Sequence, residues 1–139
     1  IQFGKVKDRF CVSGEASGPN TTIAPMNTLR GCPYSCKTFI CELLSIKSLE
    51  YCPHTVMHDF ICSKNPHLES LEGAPKQVSS FNCSFSTKLK SLKGLPQNGA
   101  MFYIWDNGKD FELSDVKKVI KDVETRIVVL KEEDLFTAV

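Results

Sequence analysis

The sequence predicts an α+β fold, in which about five strands form an antiparallel sheet, two helices pack on it, and disulfides stabilise the domain. Three observations lead to this prediction. Apolar residues alternate with polar ones in several short segments, they recur at helical spacing in two others, and seven cysteines occur among 139 residues. Because no linker or internal repeat is evident, residues 1–139 are interpreted as one secreted, disulfide-rich domain.

The N-terminal segment begins with a predicted strand over residues 4–13, where Val6, Phe10 and Val12 alternate with charged neighbours. The composition then changes to Gly, Pro, Ser, Thr and Asn over residues 14–33. These residue types favour turns, so this stretch is expected to be a long surface loop.

The first helix is predicted over residues 37–49, where Ile40, Leu43 and Leu44 lie at helical spacing and Pro53 follows. Beyond it, alternation and turn residues predict a series of strands and loops. The predicted strands are 55–62, 78–89, 100–106 and 126–130, and the main connections are a loop at 64–77, a turn at 94–99 and the Asn107-Gly108 turn.

The second helix is predicted to start near Ser114, which is a plausible N-cap residue. Val116, Val119, Ile120 and Val123 follow at positions i, i+3, i+4 and i+7, so they form one apolar stripe. We expect this stripe to pack on the sheet.

The cysteines predict a disulfide framework with one thiol left over, because their spacing fits no metal or redox motif. The odd thiol could be buried, could pair between two chains in a disulfide-linked dimer, or could have lost its partner with a removed segment. Five of the seven lie between Cys32 and Cys62. The disulfide candidates are Cys11, Cys32, Cys36, Cys41, Cys52, Cys62 and Cys83.

The compartment indicated by this pattern is extracellular. Two glycosylation sequons begin at Asn20 and Asn82, and the alternation around Asn82 predicts that its side chain points outward. The chain starts at Ile1, as expected after removal of a signal peptide or trimming of the chain. No apolar run is long enough to span a bilayer, and the net charge of +1 argues against a general nucleic-acid binder.

The strongest candidate for a metal site combines His54 and His58 with the flanking Cys52 and Cys62. On the predicted strand, however, the two histidines would lie about 13 Å apart, so disulfide bonding of the cysteines is favoured. A ribonuclease-type pairing could also use His67, but no spacing selects it. The sequence therefore predicts no catalytic residue, no metal and no cofactor.

Two groups of residues are candidate binding residues. Tyr103 and Trp105 share one face of a predicted strand, where they could anchor a protein interface or pack in the core under the second helix. Lys88, Lys90 and Lys93 form a small basic run, which could bind an acidic partner or protect a sheet edge.

The function predicted from these features is non-enzymatic binding of another protein, such as a receptor or host target. The expected type is a secreted host-interaction effector or a domain of a surface glycoprotein. Two alternatives stay open. A small secreted hydrolase or ribonuclease would need a histidine facing a carboxylate or second histidine, and a carrier of a small apolar ligand would need a closed apolar cavity.

Overall fold

The computed structural model describes residues 4–6, 9–13, 27–131 and 133–134, with side chains from residue 27 onward. Seven strands form one sheet in the order β1-β2-β4-β6-β7-β8-β9, and two strands, β3 and β5, form a second sheet. Only the β1–β2 pair is antiparallel among the described pairs. The strands are β1 (Gly4–Val6), β2 (Arg9–Ser13), β3 (Ser35–Cys36), β4 (Thr38–Glu42), β5 (Thr55–Val56), β6 (Asp59–Ile61), β7 (Ser80–Asn82), β8 (Met101–Tyr103) and β9 (Ile127–Val129).

The predicted antiparallel sheet with two packed helices is therefore wrong. From β4 onward, successive strands of the large sheet are parallel neighbours, so the connections return the chain to the same end each time, as in a β-solenoid. Helical structure among the described residues is limited to α1 (Leu113–Lys117), a 3-10 turn at Val123–Thr125 and the 3-10 conformation of Glu133 and Asp134.

A repeat of 21 residues underlies this arrangement. Phe39, Phe60, Phe81 and Phe102 follow one another at this interval, one on each of four neighbouring strands, and all are fully buried. Their ring centroids are 5.3, 5.3 and 6.5 Å apart in order along the stack. Because each repeat buries its ring against the next, the stack forms the centre of the core.

A second recurring feature is the tight turn on the side away from the sheet. Four pentapeptides of the form Leu-x-x-x-Pro start at Leu29, Leu49, Leu71 and Leu92. In each, the fourth residue donates its N–H to the leucine carbonyl at 3.1–3.2 Å. The third residue has positive φ, as a type II turn requires. The four third residues are Gly31, Tyr51, Gly73 and Gly94.

The strand ends also repeat. Leu43, Lys64, Phe85 and Asp106 lie 21 residues apart, and all four have φ between 52° and 59°. The side chain of the residue that follows points inward in each repeat, and in two of the four repeats this residue is an asparagine. Asn65 donates from Nδ2 to the carbonyls of Cys41 and Cys62 and accepts the N–H of Leu44 at Oδ1.

The predicted helix at residues 37–49 is wrong, because the segment contains β4 instead. In this strand, Phe39 and Cys41 are buried whereas Ile40 is only half-buried, which is the alternation of a strand. Leu43 takes a left-handed conformation, so the apparent helical spacing combines residues from the strand and the turn after it.

The predicted strands were too long. Residues 4–13 form two strands paired by an antiparallel ladder, and residues 55–62 also contain two strands, β5 and β6. Of residues 78–89, only Ser80–Asn82 form a strand. The strands β8 and β9 lie within the predicted 100–106 and 126–130.

The predicted second helix is shorter than expected. It spans Leu113–Lys117, and Glu112 rather than Ser114 is its N-cap residue. The Glu112 N–H donates to Asp115 Oδ2 at 2.9 Å, and this bond, with the neighbouring Lys109, lowers the pKa of the Asp115 carboxyl. The apolar stripe nevertheless packs on the core, with Val116 fully buried.

No helix among the described residues is long and apolar enough to cross a membrane.

Candidate functional site

The site is built on the side of the large sheet that faces away from the phenylalanine stack. We call this side the outer face and define it by the outward-pointing residues of β4, β6, β7, β8 and β9. Within the described strands, these residues lie in register across the parallel ladder, and all but Val129, which is buried beside Tyr103, are half-buried or exposed. They are Thr38, Ile40, Glu42, Asp59, Ile61, Ser80, Asn82, Met101, Tyr103, Ile127 and Val129.

Three aromatic side chains meet at one end of this face. Phe85, Tyr103 and Trp105 form the aromatic cluster, in which the Trp105 ring lies 6.0 Å from Phe85 and 5.8 Å from Tyr103. Both contacts are edge-to-face, with interplanar angles of 78° and 77°. Such geometry is favourable for aromatic pairs, so the cluster presents a preformed apolar surface.

The aromatic pair predicted from the sequence therefore lies outside the core. Phe102 and Ile104 on the same segment are almost fully buried, whereas Tyr103 and Trp105 are half-buried on the opposite side. The indole Nε1 of Trp105 is shielded from solvent and has no hydrogen-bond partner among the described residues. The phenylalanine stack fixes this orientation. Side chains alternate along a strand, so Tyr103, one residue after the buried Phe102, and Trp105, three residues after it, point outward.

A row of four residues runs across the strands from the aromatic cluster to Glu42, and its two middle residues have short side chains. Glu42, Ser63, Ser84 and Trp105 occupy the same position in successive repeats, three residues after each stacked phenylalanine. Backbone bonds from Lys64 N to Ser84 O and from Phe85 N to Trp105 O keep Ser63, Ser84 and Trp105 in register, whereas at the Glu42 end the Leu43 N–H donates to Lys64 O instead of Ser63 O. The two serines are 5 % and 1 % exposed, so neither side chain projects from the sheet between Glu42 and Trp105.

The described outward positions of β4 to β9 carry two carboxylates, Glu42 and Asp59, and no Lys or Arg. The two lie at opposite ends of the strands, because Glu42 ends β4 and Asp59 begins β6. On the neighbouring strand β2, Arg9 pairs with Thr38 at the Asp59 end. The predicted basic residues lie elsewhere. Lys88, Lys90 and Lys93 are on the connection between β7 and β8, and Lys93 pairs with Glu72 at 3.3 Å on the turn side.

The predicted disulfide framework is wrong for the described cysteines, all six of which are free thiols; the side chain of Cys11 lies outside the described residues. Cys41, Cys62 and Cys83 are fully buried, two residues after successive stacked phenylalanines. They therefore serve as small apolar core residues of the repeat. The expectation of a disulfide-linked dimer loses its basis, because it assumed three intrachain bonds.

The electrostatics of these thiols favour the protonated form. Burial raises the pKa of Cys83 to about 12 and the pKa values of Cys41 and Cys62 well above the ordinary value. Burial and neighbouring thiols also raise the pKa values of Cys32 and Cys52 to about 12. Since the thiolate is the nucleophile and the metal ligand, these groups are poor candidates for either chemistry.

The three histidines do not converge on the cysteines. His54 is exposed and stacks on Tyr34 with ring centroids 5.0 Å apart, whereas the Cys62 thiol lies in the core. His58 and His67 are also exposed. Among the described residues, no histidine forms an ion pair with a carboxylate, and no cluster of three possible ligands could hold a metal ion.

The glycosylation candidate Asn82 lies in the middle of the outer face, as its outward orientation predicted. Its Oδ1 accepts the N–H of Ser84 at 3.0 Å and the Ser84 hydroxyl at 2.6 Å. The inward positions of Phe81 and Cys83 are confirmed, but Phe85 was wrongly placed in the core and is 36 % exposed. The other candidate, Asn20, lies outside the described residues.

One cavity of about 260 Å³ lies near the turns at the N-terminal end of the repeats. It opens to solvent, and its lining includes the polar residues Asn27, Ser45, Lys47 and Glu50. This cavity does not resemble the closed apolar space that a carrier of an apolar ligand would need.

Comparison with known proteins found no matching family model, no matching curated protein and no matching solved structure.

Sequence reasoning missed the acidic end of the site. The helix predicted over residues 37–49 hides the relation of Glu42 to the aromatic cluster. The 21-residue interval between phenylalanines reveals it, since this interval also aligns Glu42 with Trp105. Cys41, Cys62 and Cys83 share this interval, but the number of cysteines favours a disulfide interpretation instead.

Proposed function

We propose that this chain acts by non-enzymatic binding of another protein through the outer face. The observation that carries the proposal is the aromatic cluster of Phe85, Tyr103 and Trp105 on the exposed side of a parallel sheet. Tyr and Trp are enriched among the residues that dominate binding energy at protein interfaces. A cluster held by its own ring contacts also loses little conformational freedom on binding.

The repeat architecture supports the same proposal. Solenoids of stacked repeats present extended surfaces that many of them use to bind other proteins. The unit found here resembles a leucine-rich repeat in its period, its short strand in the large sheet and the asparagine that follows this strand in two of the four repeats. Such a resemblance concerns the architecture and does not specify the partner.

The competing functions have less support. A hydrolase needs an aligned acid, base or nucleophile, and the exposed histidines and protonated thiols offer no such arrangement among the described residues. A carrier needs internal space, but the stacked phenylalanines fill the core. Secretion stays a prediction that depends on the sequons, because the disulfides that suggested it are not formed in the described residues.

The proposal can be tested by capturing proteins from the source organism on the immobilised chain and on two variants. Trp105→Ser removes the centre of the aromatic cluster, whereas Tyr34→Ser removes an aromatic ring that is 73 % exposed outside the large sheet. We expect a partner that binds the wild type and Tyr34→Ser but is lost with Trp105→Ser. Equal retention by both variants would contradict the proposal, and so would a partner that proves to be a second copy of this chain.

A further inference from the structure

We propose that the partner binds as an extended segment that crosses the strands. It would place an aromatic or large aliphatic side chain on the aromatic cluster and a Lys or Arg three to five residues away, near Glu42. This inference depends on the proposed function and adds the chemistry of the partner. It rests on the juxtaposition of Trp105, two buried serines and Glu42 in one row.

The length of the row sets the spacing. Glu42 and Trp105 belong to the same repeat position and are separated by three strand-to-strand steps. Neighbouring strands lie about 4.8 Å apart, so the two positions are about 14 Å apart. An extended chain advances about 3.3 Å per residue, and about four residues therefore cover this distance. Because a Lys or Arg side chain is long and flexible, the expected spacing widens to three to five residues.

The profile of the row favours a segment that lies across it. Ser63 and Ser84 have short side chains that are 5 % and 1 % exposed, so no bulky side chain of the row itself stands between its two ends. The buried Ser84 hydroxyl already donates to Asn82 Oδ1, so it needs no hydrogen bond from a partner. Large side chains are consequently needed only at the two ends.

The charge of Glu42 selects the sign at the acidic end. Glu42 is the one carboxylate of the row and no described cation belongs to the row, whereas Asp59 lies at the opposite end of the strands, in register with Ser80. A basic residue of the partner would pair with this charge, whereas an acidic residue would be repelled. The apolar end is provided by Tyr103 and Trp105, which are suitable anchors for an aromatic or aliphatic side chain.

The test uses a displayed library of random dodecapeptides selected on the folded chain, with Trp105→Ser as the counter-selection target. We expect enriched peptides to carry Lys or Arg three to five residues from an aromatic or large aliphatic residue. Synthetic versions should bind Glu42→Lys about fivefold more weakly than the wild type, since exposed ion pairs have effects of this size. The matched variant Glu50→Lys, which alters an exposed carboxylate on the turn side, should bind them unchanged.

The outcomes separate this inference from the proposed function. Enriched peptides without a basic residue, or with acidic residues at that spacing, would overturn the inference while a Trp105-dependent protein partner could still be captured. Equal weakening by Glu42→Lys and Glu50→Lys would also overturn it. Failure to enrich any peptide above the Trp105→Ser background would count against an extended segment as the bound form. Thermal unfolding of each variant confirms that the comparison concerns folded protein.

Discussion

The side-chain amide of Asn65 donates to the backbone carbonyl oxygen of Cys41, one repeat earlier, at 3.0 Å. The same amide bonds to the Cys62 carbonyl, and its oxygen accepts the Leu44 N–H. One buried side chain therefore satisfies three backbone groups at the point where the chain leaves the sheet. Asn107 makes a related bond to the Cys83 carbonyl two repeats later.

Replacing Ser86 by asparagine should stabilise the fold. Ser86 occupies the position between Asn65 and Asn107 in the repeat, is fully buried, and has a hydroxyl without a partner. An amide there can reach the Cys62 and Cys83 carbonyls as its neighbours do, and each added bond is worth about 1 kcal/mol. We expect Ser86→Asn to raise the free energy of unfolding by about 1–2 kcal/mol, measured by urea denaturation.

The matched control is Ser86→Ala, which removes the unpartnered hydroxyl without adding an amide. It should change the free energy of unfolding far less than Ser86→Asn does. If Ser86→Asn proves destabilising while Ser86→Ala is neutral, the position lacks room for the amide and the asparagine arrangement does not extend through all repeats.

Replacing Gly73 should destabilise the chain for a reason beyond its positive φ of 95°. A Cβ at Gly73 would lie 2.6–2.7 Å from backbone atoms of Leu49 and Glu50 in the preceding turn. Backbone cannot yield as a flexible side chain can, so the turns would have to separate. We expect Gly73→Ala to lower the free energy of unfolding by about 2–3 kcal/mol.

The comparison variant is Gly73→Asn. Asparagine tolerates positive φ better than alanine does, so it should recover stability if the backbone angle alone were the problem. Because the clash with the stacked turn persists, we expect Gly73→Asn to be at least as destabilising as Gly73→Ala. Recovery with asparagine would contradict the close stacking of these turns.

Stability should fall at alkaline pH because the core contains thiols. Burial raises the pKa of Cys83 from 9.0 to about 12, so the folded chain holds this proton more tightly than the unfolded chain does. The resulting stability is fully present below pH 9.0 and is lost as the pH rises toward 12. At pH 10.5, the loss from one such thiol is about 2 kcal/mol.

The measurement is the urea midpoint of wild type and Cys83→Ala between pH 7 and pH 10.5. The variant should start from a lower midpoint, because it loses buried volume, but its midpoint should fall less steeply with pH. Parallel curves for the two proteins would show that the Cys83 thiol does not titrate with unfolding. Disulfide bonding of Cys83 would give the same result, and intact mass before and after alkylation distinguishes the two.

A glycan on Asn82 should abolish binding through the outer face. The side chain lies in register with Ile61 and Tyr103, so a sugar chain there would cover the row between Glu42 and Trp105. We therefore expect mass spectrometry of partner-bound protein to show an unmodified Asn82. A glycosylated Asn82 in the bound protein would contradict the proposed binding face.

Part of this structure could be predicted from the sequence. The alternation around Phe81 located β7 and placed Asn82 outward, and the apolar stripe containing Val116 identified a buried segment. Strand direction could not be obtained from alternation, because parallel and antiparallel strands share the same period of two. The interval from Phe39 to Phe102 would have indicated parallel stacking, since equal repeats stack in register.

The candidate site was predicted only at its aromatic end. Tyr103 and Trp105 were recognised because large aromatics beside a turn are conspicuous in any sequence. Glu42 and Ser84 acquire their relation to Trp105 only through the register of the sheet. The cysteines favour the wrong fold, since a buried thiol in a repeated core position and a disulfide partner have the same sequence letter.

The most direct test of the account is hydroxyl-radical footprinting of the chain with and without its captured partner. The outer face contains Met101 and Tyr103, Trp105 belongs to the aromatic cluster at its end, and the exposed Tyr34 and Met57 lie outside both as internal references. All five side chains are of types that react readily, so each reports its own accessibility. We predict that the partner lowers labelling of Met101, Tyr103 and Trp105 and leaves Tyr34 and Met57 unchanged. Protection of Tyr34 or Met57, with unchanged labelling of the outer face, would contradict the account.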